Sequence, residues 1–137
     1  METKRWRKIK ARPSVCRVRD PKKLKVLSEA RELAFETYSV TANFPDAERF
    51  GLISQMRRAS VSVGGNIVEG CHRAGNRALI AFLHNSLSSA AELQFYIELA
   101  AHLRFGTLSD LKSVHARATT CKKMLARLIT DLRRRGD

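Results

Sequence analysis

Acidic residues are in short supply: thirteen Asp and Glu stand against twenty-six Lys and Arg in 137 residues, leaving a formal net charge of +13. Cysteine is also sparse. Cys16, Cys71 and Cys121 are odd in number and far apart, which excludes a disulfide framework and the paired spacing of a zinc module. Cys71 and Cys121 fall on apolar stripes and read as small buried hydrophobes. No apolar run approaches the ~18–20 residues of a membrane span. The cationic N-terminus lacks the apolar block of a secretory signal, so a cytoplasmic protein is expected. Only three prolines and seven glycines interrupt the chain, and its length suits one domain with a real core.

The charge is unevenly placed. Residues 1–23 hold ten Lys/Arg against Glu2 and Asp20, residues 24–120 hold ten against nine acids, and residues 121–137 hold six against Asp131 and Asp137. The middle is nearly neutral and both ends are basic. Residues 1–19 lack helical periodicity, contain Pro13 and read as a basic N-terminal arm, leaving 20–137 as the folded unit. A charge run is usually a solvated tail, but one this dense is also a footprint for a polyanion.

Four helices are expected. Asp20-Pro21 is a cap followed by proline at the first helical position. Helix one should reach about Ala42, burying Leu27, Ala30, Leu33, Ala34 and Tyr38 and exposing Glu29, Glu32 and Glu36. Phe44-Pro45 makes the corner into helix two, where local propensity misleads. Val61 and Val63 alternate with Ser60 and Ser62 before Gly64-Gly65, like a strand and a turn. Over a longer window Leu52, Met56, Ala59, Val63, Ile67 and Cys71 recur at steps of three and four, which is one face of a helix. Two interior glycines cost about 1 kcal/mol each, so close approach of a neighbouring helix is expected to offset them. Helix two should end near Ala74-Gly75.

Helix three should run from Asn76 to about Phe105. Leu79, Phe82, Ser86, Ala90, Leu93, Ile97 and Ala100 form its row, which Leu83, Leu87, Ala91 and Ala101 broaden. Thr107 and Asp110 resemble a capping box opening helix four. There Leu111, Val114, Ala118, Cys121, Leu125, Leu128 and Leu132 alternate by three and four. Met124 and Ile129 widen that stripe. Short connections predict an all-α, up-down-up-down four-helix bundle, and the wide stripes of helices three and four predict a homo-oligomer.

The run FPDAERFGLISQMRRASVSVGGNIVEG, followed by Arg73, resembles the signature of a bacterial four-helix-bundle family whose best-known members are encoded by intervening sequences within 23S rRNA genes. Phe82-Leu83, Leu87 and Glu92-Leu93 resemble its third-helix motif. The departures are Gly64 in place of the family's usual proline, Asn85, Ser86 and Ser88 in place of more apolar or smaller residues, and Gln94 in place of an acid. The resemblance implies a helical bundle, often a ring-like pentamer, with no accepted enzymatic activity. Relatives of similar architecture serve as nucleic-acid-binding accessories to the reverse transcriptases of diversity-generating retroelements.

Candidate chemistry is thin. Glu69 and His72 have Glu-x-x-His spacing, but a carboxylate-bridged metal bundle needs that motif twice, and Glu98 with His102 is one residue too long. A polar contact at a helix end is the better reading, and no metal or cofactor is expected. No nucleophile–base pair or phosphate-cradling loop is present, which argues against an enzyme. His84 and His115 read as surface or partly buried bundle residues. Arg57-Arg58 could meet phosphate, although pairing of Arg58 with an acid such as Glu69, on an adjacent helix or subunit, is the favoured reading.

The arm is more telling. Lys4, Arg5, Arg7, Lys8, Lys10 and Arg12 surround Trp6, offering phosphate neutralisation and base stacking together. Arg17, Arg19, Lys22 and Lys23 extend it to the bundle. Lys122, Lys123, Arg127, Arg133, Arg134 and Arg135 form a second basic zone that an up-down topology should bring to the same end. Two function classes compete: nucleic-acid binding, with RNA or an RNA–DNA hybrid as target, and docking of an acidic partner or polymerase such as a reverse transcriptase or a ribosomal component. A membrane role is disfavoured because the arm has only Trp6 and Ile9 as apolar anchors.

Overall fold

A computed structural model describes residues 21–136, with side chains from Lys25 onward. The arm of residues 1–19 and the Asp20 cap lie outside the described residues. Four α-helices follow one another: α1 (Pro21–Thr41), α2 (Leu52–Cys71), α3 (Asn76–His102) and α4 (Leu108–Arg135), with a 3-10 turn (Asp46–Glu48) before α2. Each helix packs on the next and α4 closes back on α1. The diagonal pairs bring no Cα atoms within 8 Å of each other, so this is an up-down-up-down bundle around one core.

The strand-like segment lies wholly inside α2. Met56, Val63 and Ile67 are buried in phase with Leu52 and Ala59, so core packing overrides the local β preference. The glycine expectation needs correction. A Cβ on Gly64 would meet Ala30 of α1 at an ordinary 3.6 Å, and one on Gly65 would meet nothing within 4 Å. The tight approach is at Gly70, where a Cβ would fall 2.8 Å from the Phe82 Cβ and 2.9 Å from the Leu79 Cδ1. Gly70 therefore lets α2 and α3 converge.

Burial on α1 also differs from expectation. Val26, Ala30, Leu33, Thr37, Val40 and Thr41 face the core, whereas Tyr38 is exposed and Leu27 and Ala34 are half-buried. The threonines carry the stripe because their hydroxyls are satisfied within the helix: Thr37 donates to the Leu33 carbonyl and Thr41 to the Thr37 carbonyl, both at 2.7 Å. Glu29 and Glu36 are not simply solvated either. Arg117 of α4 donates through Nε to Glu36 at 2.9 Å and through Nη1 to Glu29 at 3.1 Å, and Ser113 donates to Glu36 at 2.6 Å. The hydrogen bond to Glu36 raises the Arg117 pKa, against the opposing effect of burial.

The expected row of α4 is buried throughout, and Ile129 joins it. Met124, the other residue that widens the stripe, is half-buried. Of the residues expected to broaden α3, Leu83 is buried, Leu87 and Ala101 are half-buried and Ala91 is exposed; Phe95 and Leu99 on the helix and Leu103 just past its end are exposed too. Thr107 caps α4 by accepting from the Asp110 amide at 3.2 Å. Cys121 is buried as expected and Cys71 is half-buried. No described helix is long and apolar enough to cross a membrane.

Candidate nucleic-acid interface

Because α1 and α4 run in opposite directions, the start of α1 and the end of α4 share one end of the bundle. Lys25 and Arg127 line one cleft of about 180 Å³ there, floored by Met124 and Leu128. Arg127 and Arg134 then flank a shallow depression of about 510 Å³ with Thr130 and Asp131. Arg133 points the other way, towards α3, with its Nη2 3.0 Å from His84 Nε2. A guanidinium only donates, so that ring nitrogen is the acceptor. Asn76, opening α3, donates to the Gly136 carbonyl at 2.7 Å. This bond ties the arginine-rich last turn of α4 to the α2–α3 corner, where Arg73 and Arg77 lie.

The expected site residues fare differently. Lys123, Arg127, Arg133, Arg134 and Arg135 are exposed on α4. Lys122 is half-buried and committed to a network: its Nζ donates to Gln94 Oε1 at 2.9 Å, while Gln94 Nε2 donates to the His115 carbonyl at 3.1 Å and to Thr119 Oγ1 at 2.8 Å. A carboxylate at position 94 would neutralise Lys122, whereas with glutamine there no described carboxylate pairs with the ammonium. Lys22 and Lys23 belong to the first turn of α1, with side chains outside the described residues. Lys4, Arg5, Trp6, Arg7, Lys8, Lys10, Arg12, Arg17 and Arg19 also lie outside them. Sequence reasoning assigned Lys25 to the neutral body, although its place one turn from Lys22 was the available signal, and it missed His84 because nothing local tied that residue to Arg133.

The remaining candidates resolve individually. The Glu69 carboxylate accepts from Arg73 Nη2 at 2.7 Å, so Glu69 and Arg58 do not pair within the chain. Arg73 also lies over the Phe82 ring, 5.2 Å from its centroid. Among the described residues no three His, Cys, Asp or Glu side chains gather as a metal site. Cys121 has its thiol pushed up to about 11, first by burial and then by Glu29. It is a core residue, and its protonated thiol is a poor nucleophile.

Comparison with known proteins agrees with this architecture. Residues 22–127 match the family described as 23S rRNA-intervening sequence protein. The chain belongs to that family. A crystal structure of a protein of unknown function from the S23 ribosomal protein family of Bacteroides thetaiotaomicron superposes with a TM-score of 0.69 at 24% identity, covering 76% of this chain and 97% of that one. At that identity the likeness speaks for the fold alone. No curated protein matches the chain. The match begins at the first turn of α1, so this family member carries its most basic segment, residues 1–19, ahead of the matched region.

Proposed function

We propose that this 23S rRNA-intervening sequence protein family member is a non-enzymatic, sequence-tolerant nucleic-acid-binding protein, with RNA or an RNA–DNA hybrid as its target. The observation that carries the reading is the basic end of the bundle: Lys25 and Arg127 share one cleft there, Arg127 and Arg134 flank the next, and Arg133 to Arg135 make up the last turn of α4. A cationic surface of this extent attracts phosphates without reading bases. The arm, with Trp6 among its cations, then supplies both charge and a stacking ring.

The chain acts as a homo-oligomer, for which the family resemblance favours a pentamer. The exposed Phe95 and Leu99 on α3 and Leu103 just past its end support assembly, since they make an apolar strip that a lone bundle leaves in water. Repeating the basic end around a ring multiplies weak contacts into avidity. The same strip favours a second reading, in which the bundle docks a protein partner such as a reverse transcriptase or a ribosomal component and nucleic-acid contact is secondary.

Deleting residues 1–19 separates the two readings. It removes eight Lys/Arg and Glu2 and no described core position. Helicity and assembly should persist while RNA affinity falls sharply. Trp6→Ala alone should cost about 1–3 kcal/mol if the indole stacks on a base. Undiminished RNA binding by the truncated chain would remove the arm from the interface, and unfolding would make it structural.

A further inference from the structure

A second arginine cluster lies towards the opposite end of the bundle. Arg49, Arg57 and Arg58 line an open groove of about 660 Å³ along the start of α2, with Tyr38, Phe50 and Val61 on its walls. Among the described residues no carboxylate lies within 4.0 Å of any of these three guanidiniums. None of the three is ion-paired among the described residues, although Arg58 lies near enough to act on Tyr96, whose hydroxyl donates to Glu92 at 2.6 Å.

Arg57 is held in place. Its guanidinium carbon sits 4.6 Å from the Tyr38 ring centroid, its Nε donates to Thr41 Oγ1 at 2.9 Å, and its Nη2 reaches the Tyr38 carbonyl at 3.4 Å. This restraint lowers the entropy lost when its guanidinium meets an anion. Phe50 is 90% exposed, on an ordered corner. Glu48 accepts from the Leu52 amide at 3.1 Å, and the Gly51 amide donates to the Glu48 carbonyl at 3.0 Å. A Cβ on Gly51 would sit 2.6 Å from Glu48 Oε2, so glycine there permits the cap that fixes the corner. The molecule thus presents a bare aromatic face beside three cations that have no ion-pair partner among the described residues.

We propose that this groove binds a short segment of single-stranded nucleic acid, with a base stacked on Phe50 and phosphates on Arg49, Arg57 and Arg58. The inference rests on the nucleic-acid reading above and adds to it a second contact far from the terminal patch. The ligand class follows from the pairing of features. A duplex hides its base faces, and an acidic peptide answers the charges without needing the ring. Unpaired nucleotides offer a planar face and a phosphate at each step.

The test moves the chain's single tryptophan into the groove. In a Trp6→Phe/Phe50→Trp chain, oligo(U) should quench the indole saturably, whereas a duplex of equal length and polyglutamate should not. In the otherwise native chain, Phe50→Ala should weaken oligo(U) binding roughly 5- to 150-fold. Arg58→Gln should lower the log–log salt slope by about 0.7, with circular dichroism unchanged in both variants. If the native chain binds oligo(U) but quenching is absent and both variants bind as it does, the groove inference falls while the terminal patch stands. If the native chain binds no nucleic acid, both fall. Quenching by polyglutamate, or loss of assembly in Phe50→Ala with binding intact, would make the groove a protein contact and overturn the proposal.

Discussion

Alanine in place of glycine at two positions five residues apart on α2 should move stability in opposite directions. At Gly65 a new Cβ meets nothing within 4 Å, so the variant keeps the helix-propensity gain of about 1 kcal/mol, part of it from a less flexible unfolded chain. At Gly70 the Cβ collides with Phe82 and Leu79 and lies 3.4 Å from the Leu79 carbonyl oxygen. Overpacking of that kind costs about 1–3 kcal/mol. The propensity gain is also smaller there, because α2 ends at Cys71. A net loss of about 1–2 kcal/mol is expected, so the variants should differ by about 2–3 kcal/mol. Urea unfolding followed by far-ultraviolet circular dichroism measures this directly, with midpoints compared at one protein concentration because assembly would add to apparent stability. If both variants shift the same way, the α2–α3 approach is not set by Gly70. If Gly65→Ala instead weakens assembly, that face of α2 is covered by another copy.

Cys121 should resist thiol reagents in the native state at neutral pH and react fully only after unfolding. Its folded thiol holds its proton more tightly than the unfolded one, with a pKa raised from 9.0 to about 11. The linked stability, on the order of 2–3 kcal/mol, is therefore fully present below pH 9 and is lost as pH rises towards 11. A flat stability profile between pH 8 and 11 would contradict this. Arg117→Ala should destabilise the fold by about 1–2 kcal/mol, a modest figure because the cluster is about one-third exposed. A double-mutant cycle with Glu36→Gln should recover a coupling of about 0.5–1.5 kcal/mol, and additive single effects would show that the α1–α4 clasp carries no energy.

The helices and their order were legible because the apolar stripes of α2 and α4 keep phase over several turns, which local propensity at Ser60–Val63 cannot outweigh. The phase of α1 was harder to read. Thr37 and Thr41 look polar in a hydropathy pattern, and only their back-bonding to the helix carbonyls makes them core residues. The basic end could be anticipated from topology, since alternating helix directions bring the termini together. The commitment of Lys122 to Gln94 and the Arg133–His84 contact depend on helix rotation, which a charge count does not carry. The groove around Phe50 was hidden for a similar reason. Arg57 and Phe50 are seven residues apart, and nothing local showed that Tyr38 would lie beneath the guanidinium.

The central claim is that this chain grips phosphates through its basic end, and the salt dependence of RNA binding by the intact chain tests it most directly. Binding should weaken linearly on a log–log scale as salt rises, each neutralised phosphate adding about 0.7 to the slope for a single strand and about 0.9 for a duplex. Replacing Arg133, Arg134 and Arg135 together by glutamine should flatten that slope by roughly two units. A slope near zero, or one unchanged by the triple replacement, would contradict the account.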